Sequence, residues 1–137
     1  MTLAGGCYCG DLRYEAEGEP VLRAQCHCRA CQHISGGAPQ MFMLMPPEGF
    51  RYVKGAPKTY TRPDKENAVT REFCANCGTH VATRRPGLKQ VILKAGTLDD
   101  PDQYGRPQIA IFTAEKAGFH DLPAGLPAFE GLPPQRG

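Results

Sequence analysis

The sequence predicts an all-β fold, a small antiparallel domain. Three observations carry this: short alternating runs, dense punctuation by glycine and proline, and no segment long enough for an extended helix. Sixteen glycines and thirteen prolines among 137 residues make about a fifth of the chain turn-forming, which cuts it into short pieces. The run DLRYEA at residues 11–16 alternates strictly, with Leu12, Tyr14 and Ala16 on one face and Asp11, Arg13 and Glu15 on the other, as a half-buried strand requires. Further strands are expected at residues 41–45, 58–62, 69–73, 80–84, 90–94 and 108–113. Each is bounded by turn signals such as PPEG at 46–49, PDKEN at 63–67 and RPG at 85–87. One short helical turn is expected at residues 29–33. The tail, residues 118–137, has four prolines and no periodicity and reads as irregular. Its Phe119, Leu122, Leu126, Phe129 and Leu132 are apolar enough to pack onto the sheets. The chain shows no internal repeat and no dividing linker, so residues 1–137 read as one domain.

Composition narrows the function. Sixteen basic against fourteen acidic groups leave a net charge of +2, which disfavours a nucleic-acid partner, and no run of five basic residues or interleaved aromatic platform is present. No apolar stretch approaches the roughly 20 residues of a membrane span. Residues 1–10 lack the basic and apolar regions of a secretory signal, so a reducing, cytoplasmic setting is expected. There, clustered cysteines serve metal binding or redox chemistry more often than structural bridges.

Seven cysteines are the unusual component. They form C-x-C at Cys7 and Cys9, C-x-C-x-x-C at Cys26, Cys28 and Cys31, and C-x-x-C at Cys74 and Cys77. Thiolates two or three positions apart on a tight turn can converge on one centre about 2.3 Å from each sulfur, as in tetrahedral zinc sites. The natural partition places Cys7, Cys9, Cys74 and Cys77 around one ion and Cys26, Cys28 and Cys31 around a second. The rival partition joins Cys7 and Cys9 to Cys26 and Cys28. It divides neighbours on one knuckle between two ions, which is the poorer geometry. A four-cysteine ion is structural, contributing on the order of 10–16 kcal/mol in small domains. A three-cysteine ion keeps a position for substrate. With three thiolates its net charge is −1, so it acidifies water less than a three-histidine site does, and it suits an exogenous thiol better than hydroxide. The competing reading closes that site with His27, His33 or His80. Rubredoxin-like iron fits the C-x-C groups poorly. His27 is expected to point outward, His120 to be exposed or capping, and the pair Arg84 and Arg85 to be solvated.

At these motifs the chain resembles the glutathione-dependent formaldehyde-activating enzyme family, whose domain is shared with centromere protein V. The resembling segments are GCYCGDLRYE at 6–15, CHCRACQHISGG at 26–37, REFCANCGTHV at 71–81, AGTLDDP at 95–101 and AGFHDLPAGLPAFEG at 117–131. Family tails often carry a tryptophan where Phe119 stands. The resemblance implies a β-tent fold, a structural zinc on Cys7, Cys9, Cys74 and Cys77, and a catalytic zinc on Cys26, Cys28 and Cys31. It also implies addition of glutathione to formaldehyde, giving S-(hydroxymethyl)glutathione, a carbon–sulfur lyase reaction when written in reverse. Glutathione carries two carboxylates, so Arg29, inside the knuckle, is the first candidate contact, the alternative being a solvent-facing loop arginine. Residues 35–37 are candidates to offer backbone N–H groups to substrate, the alternative being a plain turn. The alternatives are a non-catalytic, zinc-stabilised module that binds a protein, and a glutathione carrier without turnover. Nothing in the sequence fixes the oligomeric state.

Overall fold

The computed structural model describes residues 1–134, so the last three residues of the expected irregular tail lie outside the described residues. As the sequence predicts, the chain is mostly strand with one α-helix. It forms two compact units, the first comprising Met1–Leu22 and Met43–Gly105, the second Arg23–Phe42 and the chain from Arg106 onward.

In the first unit, strands β1 (Thr2–Gly6), β2 (Arg13–Glu17) and β5 (Phe50–Lys54) form an antiparallel sheet in the order β1-β2-β5. Strands β6 (Lys58–Thr61), β7 (Thr70–Phe73), β8 (His80–Arg84) and β9 (Val91–Lys94) run antiparallel in the order β9-β8-β7-β6. Alternation explains their faces, since residues two apart share one side of a strand. Leu3, Leu12, Tyr14, Met43, Met45, Val81, Val91 and Leu93 are all fully buried and join one apolar cluster. Each such side chain contributes roughly 1.5–3 kcal/mol. The Tyr14 hydroxyl donates to Thr97 Oγ1 at 2.8 Å, and Thr97 in turn donates to the Lys94 carbonyl at 2.8 Å. Burial pushes the Tyr14 phenol up to about 12, so it stays a donor. Glu72 is buried but satisfied, accepting from Tyr52 at 2.6 Å and from Arg84 at 2.9 Å.

Sequence reasoning missed β1. Its glycine pair reads as a turn, yet Gly5 lies extended opposite Tyr14. A Cβ at Gly5 would collide with the Thr97 carbonyl and the Tyr14 hydroxyl, so glycine serves close approach here and not chain reversal.

In the second unit, β3 (Leu22–Cys26), all but its first residue, pairs with β10 (Ile109–Ile111) in parallel, Ala24 opposite Ile109 and Cys26 opposite Ile111. This pairing departs from the antiparallel expectation, so the chain has parallel as well as antiparallel strand pairs. Strand β4 (Gln40–Met45) gives its first three residues to this unit and its last three to the other. The helix α1 (Arg29–Ser35) covers the expected turn and two further residues. It stops because Gly36 adopts a left-handed φ of 83° and its N–H caps the Gln32 carbonyl. The tail runs beside β10 by backbone bonds, Ala110 N–H to the Pro127 carbonyl and Phe129 N–H to the Ala110 carbonyl, both 2.9 Å. Of its five apolar side chains, Leu126 and Phe129 are half-buried, whereas Phe119 is 73% exposed and Leu122 and Leu132 also face solvent, against expectation.

Candidate metal centres

Two hairpin turns build the four-cysteine cluster. In the turn between β1 and β2, Cys7 N–H bonds the Leu12 carbonyl at 2.9 Å and Gly10 N–H bonds the Cys7 carbonyl at 3.2 Å. Between β7 and β8, Cys74 N–H bonds the Thr79 carbonyl at 3.0 Å and Gly78 N–H the Cys74 carbonyl at 2.9 Å. Gly10 and Gly78 sit at φ 87° and 80°, where a side chain would strain the turn. The sulfurs of Cys7, Cys9, Cys74 and Cys77 lie within 4.8 Å of one another. Cys7 to Cys9 is 3.6 Å and Cys9 to Cys74 is 3.7 Å. A tetrahedral zinc with bonds of about 2.3 Å has sulfur–sulfur edges of about 3.8 Å. The donor set therefore fits that ion.

Donors around this cluster favour thiolates. Leu12 N–H points at Cys7 Sγ at 3.2 Å, the Asn76 side-chain amide at Cys9 Sγ at 3.3 Å, and Thr79 Oγ1 lies 3.1 Å from Cys77 Sγ. The Thr79 hydroxyl holds the Cys77 thiol down at about 5. The turn apex is open to water, for Tyr8 is 95% exposed.

The second cluster lies in the second unit. Cys26 ends β3, Cys28 caps α1, and Cys31 lies in its first turn. Cys28 Sγ accepts from Cys31 N–H at 3.3 Å, a role that serine or aspartate plays at most helix starts. The three sulfurs again lie within 4.8 Å of one another. Cys28 and Cys31 push the Cys26 thiol far up, since three sulfurs so close cannot all carry charge without a cation between them. That too fits a bound dication.

Histidine does not complete this second group. His27 is not outward but wholly buried. Its Nε2 meets Gln25 Nε2 at 2.9 Å and its Nδ1 meets His120 Nδ1 at 3.0 Å. Its backbone N–H bonds the Ile111 carbonyl at 3.0 Å and its carbonyl accepts from Gln32 Nε2 at 2.9 Å. Burial pulls the His27 imidazole below its ordinary range, and the facing His120 and Lys116 add to this. His120, expected at the surface, is 5% exposed, and its Nε2 lies 2.6 Å from the Gly37 carbonyl. His33 is exposed. His80, in the first unit, sets its Nε2 3.0 Å from the Ala82 carbonyl, and burial pulls it down to about 3.

Gln32, like Gln25, is a further buried polar group that sequence reasoning missed. Its amide donates to the His27 carbonyl and to the Glu115 carbonyl, each at 2.9 Å. Its oxygen accepts from the Arg29 guanidinium, so the exposed Arg29 lies along its own helix. The Arg29 N–H bonds Glu115 Oε1 at 2.9 Å. The backbone N–H groups expected to face substrate are otherwise engaged: those of Gly36 and Gly37 both bond the Gln32 carbonyl. This is a correction, because helix termination consumes them. No spacing rule links residue 27 to residue 120.

These features define a β protein with two thiol clusters, each shaped for a tetrahedral metal. The model of one family, the glutathione-dependent formaldehyde-activating enzymes, matches residues 2–115. The chain belongs to that family. A solved structure described as a Rhodobacter sphaeroides protein, a structural genomics target, is similar with a TM-score of 0.57. It is 20% identical, with 77% of this chain and 97% of that chain covered. At that identity the likeness shows the fold alone. Among curated proteins no match was found. No helix among the described residues is long and apolar enough to cross a membrane.

Proposed function

We propose that this chain is a zinc-dependent enzyme that adds glutathione, or a similar thiol, to formaldehyde or a related small aldehyde. The product is S-(hydroxymethyl)glutathione, and the reverse reaction is a carbon–sulfur lyase step. The observation that carries this reading is the second cluster, three convergent sulfurs with no histidine or carboxylate among the group, in a chain of this family. Cys26, Cys28 and Cys31 would hold the catalytic zinc, and Cys7, Cys9, Cys74 and Cys77 the structural one. Seven reduced cysteines suit a cytoplasmic setting.

Bound at the three sulfurs, zinc supplies a position at which a thiol is present as its thiolate near neutral pH. The chain's own part is to keep those sulfurs convergent through the helix cap at Cys28 and the buried Gln32 amide. In the reaction the thiolate sulfur attacks the aldehyde carbon and the carbon–sulfur bond forms. The carbonyl π pair moves to oxygen, which takes up the proton that the thiol gave. Holding both reactants together is worth up to roughly 7–11 kcal/mol in favourable cases.

Exchange of magnetisation between glutathione, formaldehyde and their adduct, followed by NMR, tests the reading. Faster exchange with the protein than without it, lost in Cys28→Ser, is the expected result. Equal rates in the presence and absence of the protein would remove it.

A further inference from the structure

The two buried histidines have no part in that reaction, and they form a chain with one self-consistent direction. The Gln25 amide nitrogen donates to His27 Nε2 across 2.9 Å. His27 must then carry its proton on Nδ1, which donates to His120 Nδ1 at 3.0 Å. His120 Nδ1 is thus an acceptor, and the Ala117 N–H at 3.3 Å points at the same atom. The remaining nitrogen, His120 Nε2, carries the other proton and donates to the Gly37 carbonyl at 2.6 Å. Each ring then has one donor and one acceptor nitrogen, His120 Nδ1 being the acceptor for both His27 Nδ1–H and the Ala117 N–H. The His27 tautomer is the less common one for imidazole, so it is held by its surroundings.

The two ends of the chain flank the thiols. His27 is the residue between Cys26 and Cys28. Gly37 follows the left-handed cap that ends α1, the helix bearing Cys31. His120 belongs to the tail and bridges the two, its ring edge on Phe119 at a centroid distance of 5.1 Å. Lys116 and the Ala117 carbonyl hold its backbone, at 3.3 Å and 3.0 Å. An apolar clamp would permit sliding. A hydrogen-bonded one fixes distance and direction.

We propose that Gln25, His27, His120 and Gly37 form a clasp that positions the three-cysteine knuckle, with His120 as a positioning residue supplied by the tail. The clasp sets the span from the Cys26–Cys28 segment to the end of the helix bearing Cys31. Metal retention at those three sulfurs therefore depends on a side chain that is not a ligand. Outer contacts of this kind change metal affinity by about 10–100-fold when removed. The inference rests on the assignment of Cys26, Cys28 and Cys31 to one metal ion.

The test uses the zinc-loaded full chain. Metal analysis of the unaltered protein comes first, and two zinc ions per chain are expected. A single ion would defeat the metal assignment itself, and the clasp with it. Release of zinc to a chelator is then timed for the unaltered protein, His120→Ala and His120→Asn. One of the two ions is expected to leave His120→Ala about 10–100-fold faster, while the other leaves at its former rate. His120→Asn, which keeps an acceptor for His27 Nδ1, is expected to fall between. Unchanged release, or equal acceleration of both ions, would overturn the clasp. Long-range ¹H–¹⁵N NMR of the unaltered protein gives a readout independent of any variant's folding. His27 is expected as the Nδ1–H form and His120 as the Nε2–H form. The opposite tautomer at His27 would overturn the proposal even with two zinc ions bound.

Discussion

The two units are built on different chemistry. The first is held by an apolar cluster of Leu3, Leu12, Tyr14, Met43, Met45, Val81, Val91 and Leu93, and its thiols sit on hairpin turns at the edge of that cluster. The second buries Phe42 and Ile111 together with small groups such as Ala24 and Ala110, and beside them Gln25, His27, Gln32 and His120. Its interior therefore carries a hydrogen-bond network as well as apolar contacts. Apolar packing is forgiving of direction, whereas a buried amide or imidazole is favourable only when each polar atom is met. The contrast matches the two clusters. Four sulfurs can close a coordination shell on their own. Three cannot, and their spacing needs support from outside.

The largest effect separating the units is expected from Cys74→Ser. A structural zinc contributes on the order of 10–16 kcal/mol, which equals or exceeds the stability of a typical domain, so a ligand loss that released the proposed ion would unfold this unit. Loss of the folded circular dichroism spectrum and of solubility is expected. A folded variant with two zinc ions would contradict the structural role.

Cys28→Ser is the counterpart in the second unit. It should leave the first unit's fold intact, lower the zinc content from two ions to one, and abolish accelerated adduct exchange. Retained exchange at one ion per chain would move the chemistry elsewhere.

A smaller effect is expected from Gln32→Leu, which is close in volume but leaves the His27 and Glu115 carbonyls without their donor. The cost is about 1–3 kcal/mol per orphaned group, read as a lower urea midpoint. An unchanged midpoint would mean that the network is not what holds the second unit.

The smallest concerns the first unit's surface. Arg13 grips Asp99 through two bonds, 2.8 and 2.5 Å, and holds its carboxyl below the usual 3.8. A depressed carboxylate stabilises the fold above its unfolded pKa, and the contribution disappears as pH falls through the folded value. Asp99 is 52% exposed, so the pair is worth less than about 1 kcal/mol. The gap in urea midpoint between the unaltered protein and Asp99→Asn should be small at pH 7 and smaller still at pH 3. A gap that grows at pH 3 would reverse the sign.

The first unit was the more legible in sequence. Alternation located β2, whose Tyr14 and Ala16 share the buried face, while short runs between turn signals located β6 to β9, and cysteine spacing located both hairpin knuckles. Strand β1 escaped because glycine marks turns and close approaches alike, and only the Tyr14 contact tells them apart. Strand β5 escaped because Val53, half exposed, breaks the apolar pattern of Phe50 and Tyr52. In the second unit the three thiols were legible, being local. Gln25, His27, Gln32 and His120 were not, because polar residues read as surface until a partner far along the chain is known. The fold class followed from patterns within ten residues, and the support of the second cluster from pairs up to 93 positions apart.

That separation has a consequence for biosynthesis. The second unit is interrupted by the whole of Met43–Gly105, and Gly37 and His120 are 83 positions apart. A ribosome adding about 5–20 residues per second delivers the last of the three thiols roughly 4–18 s before the histidine that bridges their segment. During that interval Cys26, Cys28 and Cys31 are nascent thiols awaiting their frame, open to oxidants as well as to zinc. The first unit, complete by residue 105, has no such wait for the tail. A chain stalled between those two points would carry a finished four-cysteine knuckle and an unfinished three-cysteine one.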